Sequence, residues 1–235
     1  MHYETDYSRT QIHFLTTSPA WLLRIGSHDP PHDILDLGSG GGHNSIHLRR
    51  EFRQARIVAL DLSFIRCVLC RQSAGVNVVC GDAMELPFAS GSFDLVLSTQ
   101  VIEHVPDDLA FVKEARRILR KGGKMIISSV LRLPHGWYFY RNQGHWVLDP
   151  THVREYRSRD EFLALFDSSF SILDVAVDPI RYSPAHFVYR LLIKAGLIEN
   201  PDPGFFSRSA LTRCLERCGV RVPGYRAITV ILQKV

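Results

Sequence analysis

Ile34-Leu35-Asp36-Leu37-Gly38-Ser39-Gly40-Gly41-Gly42, residues 34–42, runs from a short apolar segment directly into a turn dominated by glycine. The apolar run has the length of a buried strand, and a helical pattern over Gly42–Phe52 follows at once. Glycines let a backbone turn tightly and approach a ligand closely, while the first turn of a helix presents N–H groups with no internal partner. Taken alone, the element also reads as a plain βα turn.

Working outward, short apolar runs alternate with helical patterns from residue 33 to 130, which implies βαβ units and a parallel sheet. Asp33–Leu37, Arg56–Leu60, Asn77–Cys80, Phe93–Ser98 and Lys124–Val130 read as strands. The run Phe-Asp-Leu-Val-Leu-Ser at 93–98 is nearly continuous in apolar residues, as a strand covered on both faces should be. Ser63–Ala74 reads as a helix capped by Ser63. Asp107–Arg120 is a helix with acids at its positive end, and Leu109, Val112, Ala115, Ile118 and Leu119 are expected on its apolar face. Lys121-Gly122-Gly123 stops it.

Beyond Val130 the rhythm changes. Residues 131–157 hold six of the chain's aromatic rings together with His135, His145 and His152, and read as a long functional loop. Ser158–Phe166 reads as a helix, Phe170–Val177 as a sixth strand and Tyr225–Gln233 as the last. Between them, 179–224 reads as a lid with helices at about 184–195 and 207–218. They carry Phe187, Leu191, Leu192, Arg190 and Arg213 and suit cover for an apolar or anionic substrate, or contact with a membrane surface.

Composition bounds the function. The 235 residues are 46% hydrophobic and 22% charged, an ordinary globular balance that fits a single domain. The net charge of +4 arises entirely after residue 130, because residues 1–130 hold 14 basic and 14 acidic side chains. No basic run interleaved with aromatics suggests nucleic acid. No segment approaches the 18 apolar residues of a spanning helix, and the start resembles no signal peptide, so a cytoplasmic protein is expected. Cys67-x-x-Cys70 and Cys214-x3-Cys218 fall in helical patterns rather than zinc knuckles, so reduced thiols and no metal site are expected.

Three acids give the glycine turn its meaning. Asp61 ends the second strand, where a carboxylate accepts hydroxyls of a ribose. Cys80-Gly81-Asp82-Ala83 ends the third, where an acid and a backbone N–H suit an adenine edge. Asp36, beside the turn, would repel a pyrophosphate and attract a sulfonium or ammonium.

Ile34–Gly42, Asp61, Gly81-Asp82-Ala83-Met84-Glu85-Leu86-Pro87-Phe88, Ser92-Phe93-Asp94-Leu95-Val96, Glu103-His104-Val105 and Leu119-Arg120-Lys121-Gly122-Gly123 together resemble successive motifs of the class I S-adenosylmethionine-dependent methyltransferases. The resemblance covers 33–130. It implies an α/β, doubly wound, Rossmann-like and mostly parallel seven-stranded sheet with a helical insertion before the last strand. It implies S-adenosylmethionine (SAM) as cofactor, with Asp36, Gly38, Ser39, Gly40, Asp61, Leu62, Gly81, Asp82, Ala83, Thr99 and Gln100 around it. Gly38 and Gly40 would border the methionine part, Asp61 the ribose, Asp82 and Ala83 the adenine, and Thr99 and Gln100 the sulfonium. Ser39-Gly40-Gly41-Gly42 departs from relatives that carry Cys or Thr among fewer glycines.

The implied activity is methyl transfer to an O, N or C atom of a small-molecule acceptor. A non-catalytic SAM-binding partner subunit and an enzyme acting on a macromolecule or lipid are the alternatives. A nicotinamide oxidoreductase is disfavoured by Asp36 and by Gly81-Asp82. His104 is a candidate general base because its ordinary pKa lies near neutrality. Asp149-Pro150-Thr151-His152-Val153-Arg154-Glu155-Tyr156 resembles a recurring stretch of these enzymes, which makes His152 the second catalytic candidate. Residues 1–32, with Tyr3, Tyr7, His13 and Phe14, are expected to form an N-terminal flap.

Overall fold

A computed structural model of the chain describes residues 30–136, 140–142, 145–147, 149, 151–182 and 220–235. The flap residues before 30, the two lid helices, Cys214 and Cys218 lie outside these. Among the described residues, nine strands and four helices follow in the order β1 (Asp33–Leu37), α1 (His43–Glu51), β2 (Arg56–Asp61), α2 (Phe64–Ala74), β3 (Asn77–Cys80), β4 (Phe93–Thr99), α3 (Asp108–Ile118), β5 (Leu119–Arg132), β6 (Tyr140–Asn142), β7 (His145–Val147), α4 (Arg159–Leu163), β8 (Phe170–Tyr182) and β9 (Val220–Lys234). Seven strands form one sheet in the order β3-β2-β1-β4-β5-β9-β8. β1 to β5 are parallel, and β9 runs antiparallel between β5 and β8.

The apolar runs are continuous because successive side chains feed two cores on opposite faces of the sheet. Leu35, Leu37, Val96, Met125 and Ile127 pack into one core with Phe111, Val112 and Ala115 of α3 and Phe162 of α4. Ile34, Leu95, Leu97 and Ile126 point the other way, against Leu48 of α1 and Cys70 and Ala74 of α2. This two-faced burial is the expected doubly wound arrangement.

The helices start as their caps dictate. Ser63 Oγ accepts from Arg66 N at the start of α2, Asp107 from Ala110 N at α3, and Ser158 from Glu161 N at α4. Four expectations change. Leu109 is 61% exposed, and the buried face of α3 is instead Phe111, Val112, Ala115 and Ile118. α4 stops at Leu163 rather than Phe166, where Asp167 turns the chain by accepting from Ser169 N at 2.9 Å. β5 is longer than 124–130: it pairs with β4 at Phe93–Leu119, is interrupted around Gly122, and resumes at Leu95–Lys124. The loop at 131–157 holds a small ladder, β6 with β7.

The lid boundaries also move inward. β8 and β9 remain paired to Tyr182↔Val220, so 179–182 and 220–224 are strand. Pro179 is accommodated because the register shifts between Pro179 and Arg181, where its missing N–H breaks no regular rung.

Candidate functional site

The strand order reverses between β1 and β4, which places a crevice at the carboxyl ends of these strands. The glycine turn forms its floor. Gly38 and Ser39 both donate their N–H to Leu60 O, at 2.7 and 2.9 Å, which ties the turn to the end of β2. Gly38 has φ +77°, and a Cβ there would stand 2.3 Å from Val101 Cγ2, so no other residue fits without displacing the segment after β4. At Gly40, φ is +54° and a Cβ would meet no described heavy atom within 4 Å. The turn is therefore crowded on its protein side and open on the other.

Asp61 is buried and held in place by two backbone donors. Its Oδ2 accepts from Gly40 N at 2.8 Å and its Oδ1 from Ser63 N at 2.9 Å. A carboxylate oxygen has two acceptor sites, so each keeps one for a further donor. Leu62 beside it is 49% exposed. At the end of β3, Asp82 Oδ1 accepts from Met84 N at 2.8 Å, and Gly81, Asp82 and Ala83 are all half-buried. Thr99 Oγ1 accepts from Asn44 Nδ2 at 2.7 Å, which joins α1 to the end of β4. Gln100 is exposed and has φ +56°, the sole positive φ of a non-glycine among the described residues. Such backbone strain gathers where the surrounding structure imposes it.

Asp36 departs from expectation. Its carboxyl is fully buried, with Oδ2 accepting from Ser45 Oγ at 2.5 Å. Burial, reinforced by the Asp61 charge and opposed by the Ser45 bond, pushes its pKa up to about 7. The acid is thus a buried support beneath the turn rather than an exposed anion. Its Oδ1 and the Ser39 hydroxyl are buried without a hydrogen-bond partner among the described residues.

A second group stands beyond β4. Glu103, His104 and His152 each bring one donor atom within 4.8 Å of the others. The rings of His104 and His152 meet edge to face at 4.9 Å. The hydroxyl of Thr151 donates to Asp149 Oδ1 at 2.7 Å, so it accepts from His104 Nδ1 at 2.9 Å and leaves Nε2 of His104 as the basic nitrogen. Burial and the neighbouring His152 hold the His104 pKa down to about 4, so this ring is neutral at pH 7. His152 is buried, which opposes its charge. The bond from its Nδ1 to Glu155 Oε1 at 2.9 Å and the Glu103 charge outweigh that and raise its pKa. Glu103 is fully buried, accepts from Ser129 Oγ at 2.9 Å, and is raised by burial to about 7.

The sequence reading overlooked the side chain that assembles this group. Arg154 donates from Nη1 to the carbonyls of Ile102 at 3.2 Å and Val105 at 2.5 Å, and from Nη2 to Pro106 at 2.6 Å. Val153 N and Arg154 N also donate to Glu103 O, at 2.9 and 3.3 Å. The signal for it in the sequence is the stretch 149–156 itself, which carries Thr151, Arg154 and Glu155 beside His152. Cys67, in α2, is buried and its thiol is pushed up to about 12, so it is no nucleophile. A cleft of about 460 Å³ lined by Pro30, His32, Asp94, Arg120 and Lys124 lies at the opposite, amino ends of the strands. It is remote from all these groups.

Comparisons with known proteins agree with this geometry. Residues 35–127 match the family described as a methyltransferase domain. Over these residues the chain is thus similar to methyltransferase domains. Among curated proteins, the chain is similar to a malonyl-acyl-carrier-protein O-methyltransferase of Hahella chejuensis, with 31% identity over 60% of this chain and 50% of the relative. The chain spans about half the length of the first curated relatives it matches, 50% and 56% of two of them. Among solved structures, a Bacillus halodurans protein assigned as a methyltransferase superposes with a TM-score of 0.64 at 19% identity, covering 92% of this chain and 97% of its own. Phosphoethanolamine N-methyltransferase 2 of Haemonchus contortus, solved with SAM, gives 0.58 at 19% identity over 91% of this chain and 51% of its own. At these identities the structural likeness establishes the fold.

SAM fits the residues present. The open side of Gly40, the preoriented carboxylate of Asp61 and the unpartnered Ser39 hydroxyl offer space, acceptors and a donor where a nucleoside with an amino-acid tail needs them. Among the described residues, no helix is long and apolar enough to cross a membrane.

Proposed function

We propose that this protein transfers the methyl group of SAM to a heteroatom of a small-molecule acceptor. The observation that carries the reading is Asp61, whose two oxygens are locked by Gly40 N and Ser63 N at the rim of an open glycine turn. In this reading Asp61 holds the ribose hydroxyls, with Leu62 against the nucleoside. Gly38, Ser39 and Gly40 border the methionine part, and Gly81, Asp82 and Ala83 take the adenine edge. Asp36 supports the turn from below through Ser45.

When bound, SAM supplies a methyl carbon already activated by its sulfonium. The protein's own residues then act mainly by positioning. Thr99 and the strained Gln100 stand at the end of β4 toward the acceptor side. His104 offers a neutral Nε2 that accepts a hydrogen bond from an acceptor hydroxyl or amine. His152, oriented by Glu155, is the proton acceptor of higher affinity. The similar proteins named above are an O- and an N-methyltransferase, which supports an oxygen or nitrogen acceptor. The arrangement of an N-terminal flap before residue 33 and a lid around 183–219 over one catalytic domain belongs to the same proposal.

The test is formation of S-adenosylhomocysteine from SAM with sets of hydroxyl, carboxyl and amine acceptors, read by mass spectrometry. Acceptor-dependent turnover that falls in His152→Asn supports the reading. Absence of product with every class, from protein saturated with SAM, contradicts it.

A further inference from the structure

The cluster beyond β4 is built like a metal site. Its three residues come from two segments, the turn after β4 and the stretch at 151–154, which Arg154 and the Glu103 carbonyl lock together. Each of the three is gripped on one atom by an outer partner. Thr151 holds Nδ1 of His104, Glu155 holds Nδ1 of His152, and Ser129 holds Oε2 of Glu103, all at 2.9 Å. Metal-binding histidines and carboxylates are oriented in this way, through the atom that faces away from the ion. The remaining oxygen, Glu103 Oε1, is fully buried and has no hydrogen-bond partner among the described residues. A buried acceptor is rarely left so without a function.

We propose that Glu103, His104 and His152 bind one divalent first-row transition ion, using Oε1 of Glu103 and a ring nitrogen of each histidine. Two imidazoles and one carboxylate are the donor set of three-ligand zinc sites that keep a further position open. One donor atom of each residue lies within 4.8 Å of the other two. Donors on a tetrahedral zinc stand about 3.3 Å apart, so closing on the ion asks each side chain to move by about an ångström or less. With the ion bound, the two imidazoles are ligands in place of the acceptor roles given above. The ion would then hold an oxygen of the methyl acceptor, a role that rests on the function proposed above, whereas binding of the ion does not.

The test is calorimetric titration of the whole, chelator-treated chain with zinc chloride. One equivalent is expected. Affinity should fall by about a hundredfold or more in His104→Ala and Glu103→Gln, and by about 10–100-fold in Glu155→Gln, which keeps all three ligands but loosens His152. Circular dichroism and S-adenosylhomocysteine binding by the same variants report whether the fold and the cofactor side survive. Failure of metal binding is thereby distinguished from failure of the methyltransferase reading. Cobalt(II) bound to the unaltered chain should show d–d bands of a nitrogen and oxygen set. No binding by folded protein, equal affinity in His104→Ala and Glu103→Gln, or thiolate charge-transfer bands from the cysteines would each overturn the proposal.

Discussion

Gly38→Ala tests how the turn and the acceptor side are joined. The new methyl would stand 2.3 Å from Val101 Cγ2 and 2.8 Å from Val101 Cγ1, well inside contact distance. Two costs arise. An L-residue at φ +77° costs about 1–2 kcal/mol, and forcing Val101 aside in a packed site costs about 1–3 kcal/mol. Together, Gly38→Ala should lower stability by about 2–5 kcal/mol, read from urea unfolding with both signals of a two-state transition. The two costs separate in a double-mutant cycle with Val101→Ala, which removes both colliding methyls. In that background Gly38→Ala should cost only the backbone share of about 1–2 kcal/mol. Since Val101 follows Gln100 and Thr99 directly, the single variant should also bind S-adenosylhomocysteine more weakly, and the double variant should recover part of that affinity. A loss below about 1 kcal/mol, or the same loss with and without Val101, would refute the reasoning.

Asp36 ionises near 3.8 in an unfolded chain and about 7 in the folded one, so the native state keeps a proton that the unfolded state has shed. Stability should therefore fall as pH rises from about 4 to 7, and urea midpoints of Asp36→Asn relative to the unaltered protein should rise across that window. A flat difference contradicts the assignment. Arg154→Ala should lose about 2–4 kcal/mol in urea unfolding because three loop carbonyls lose their donor. Arg154→Lys should recover less than half of this, as one ammonium cannot reproduce the planar fork; full rescue would show that charge alone matters. Leu109→Glu should change stability by no more than about 0.5 kcal/mol while Phe111→Ala costs about 3–5 kcal/mol, and the reverse order would restore the face expected from periodicity.

The central sheet was legible because local and global signals agree there. The strands at 33–37, 56–61, 77–80 and 93–99 are apolar runs, the first three ended by glycine or acid, and each lies within one residue of the bounds its sequence indicated. The misreadings are ones periodicity invites. Leu109 sits at a helical spacing from Val112, but Phe111, Val112, Ala115 and Ile118 set the buried face and leave Leu109 outside it. β8 extends past Pro179 because a proline is tolerated where the ladder already shifts register, which no local residue announces. The gathering of the expected cofactor residues at strand ends was readable, since each follows an apolar run. The group of Glu103, His104 and His152 was half readable: the rings were singled out, but their union depends on Arg154 reaching three carbonyls some 50 residues away in sequence. The burial of Asp36 was not legible, because a charged residue type does not announce that its carboxyl is enclosed.

Calorimetric titration of the whole chain with S-adenosylhomocysteine, beside Asp61→Ala, tests the central claim most directly. The account predicts one ligand per chain for the unaltered protein and at least about tenfold weaker binding in the variant, since hydrogen bonds to a charged partner are worth about 1.5–3 kcal/mol. No binding by folded protein, binding of NAD in its place, or unchanged affinity in Asp61→Ala would contradict it.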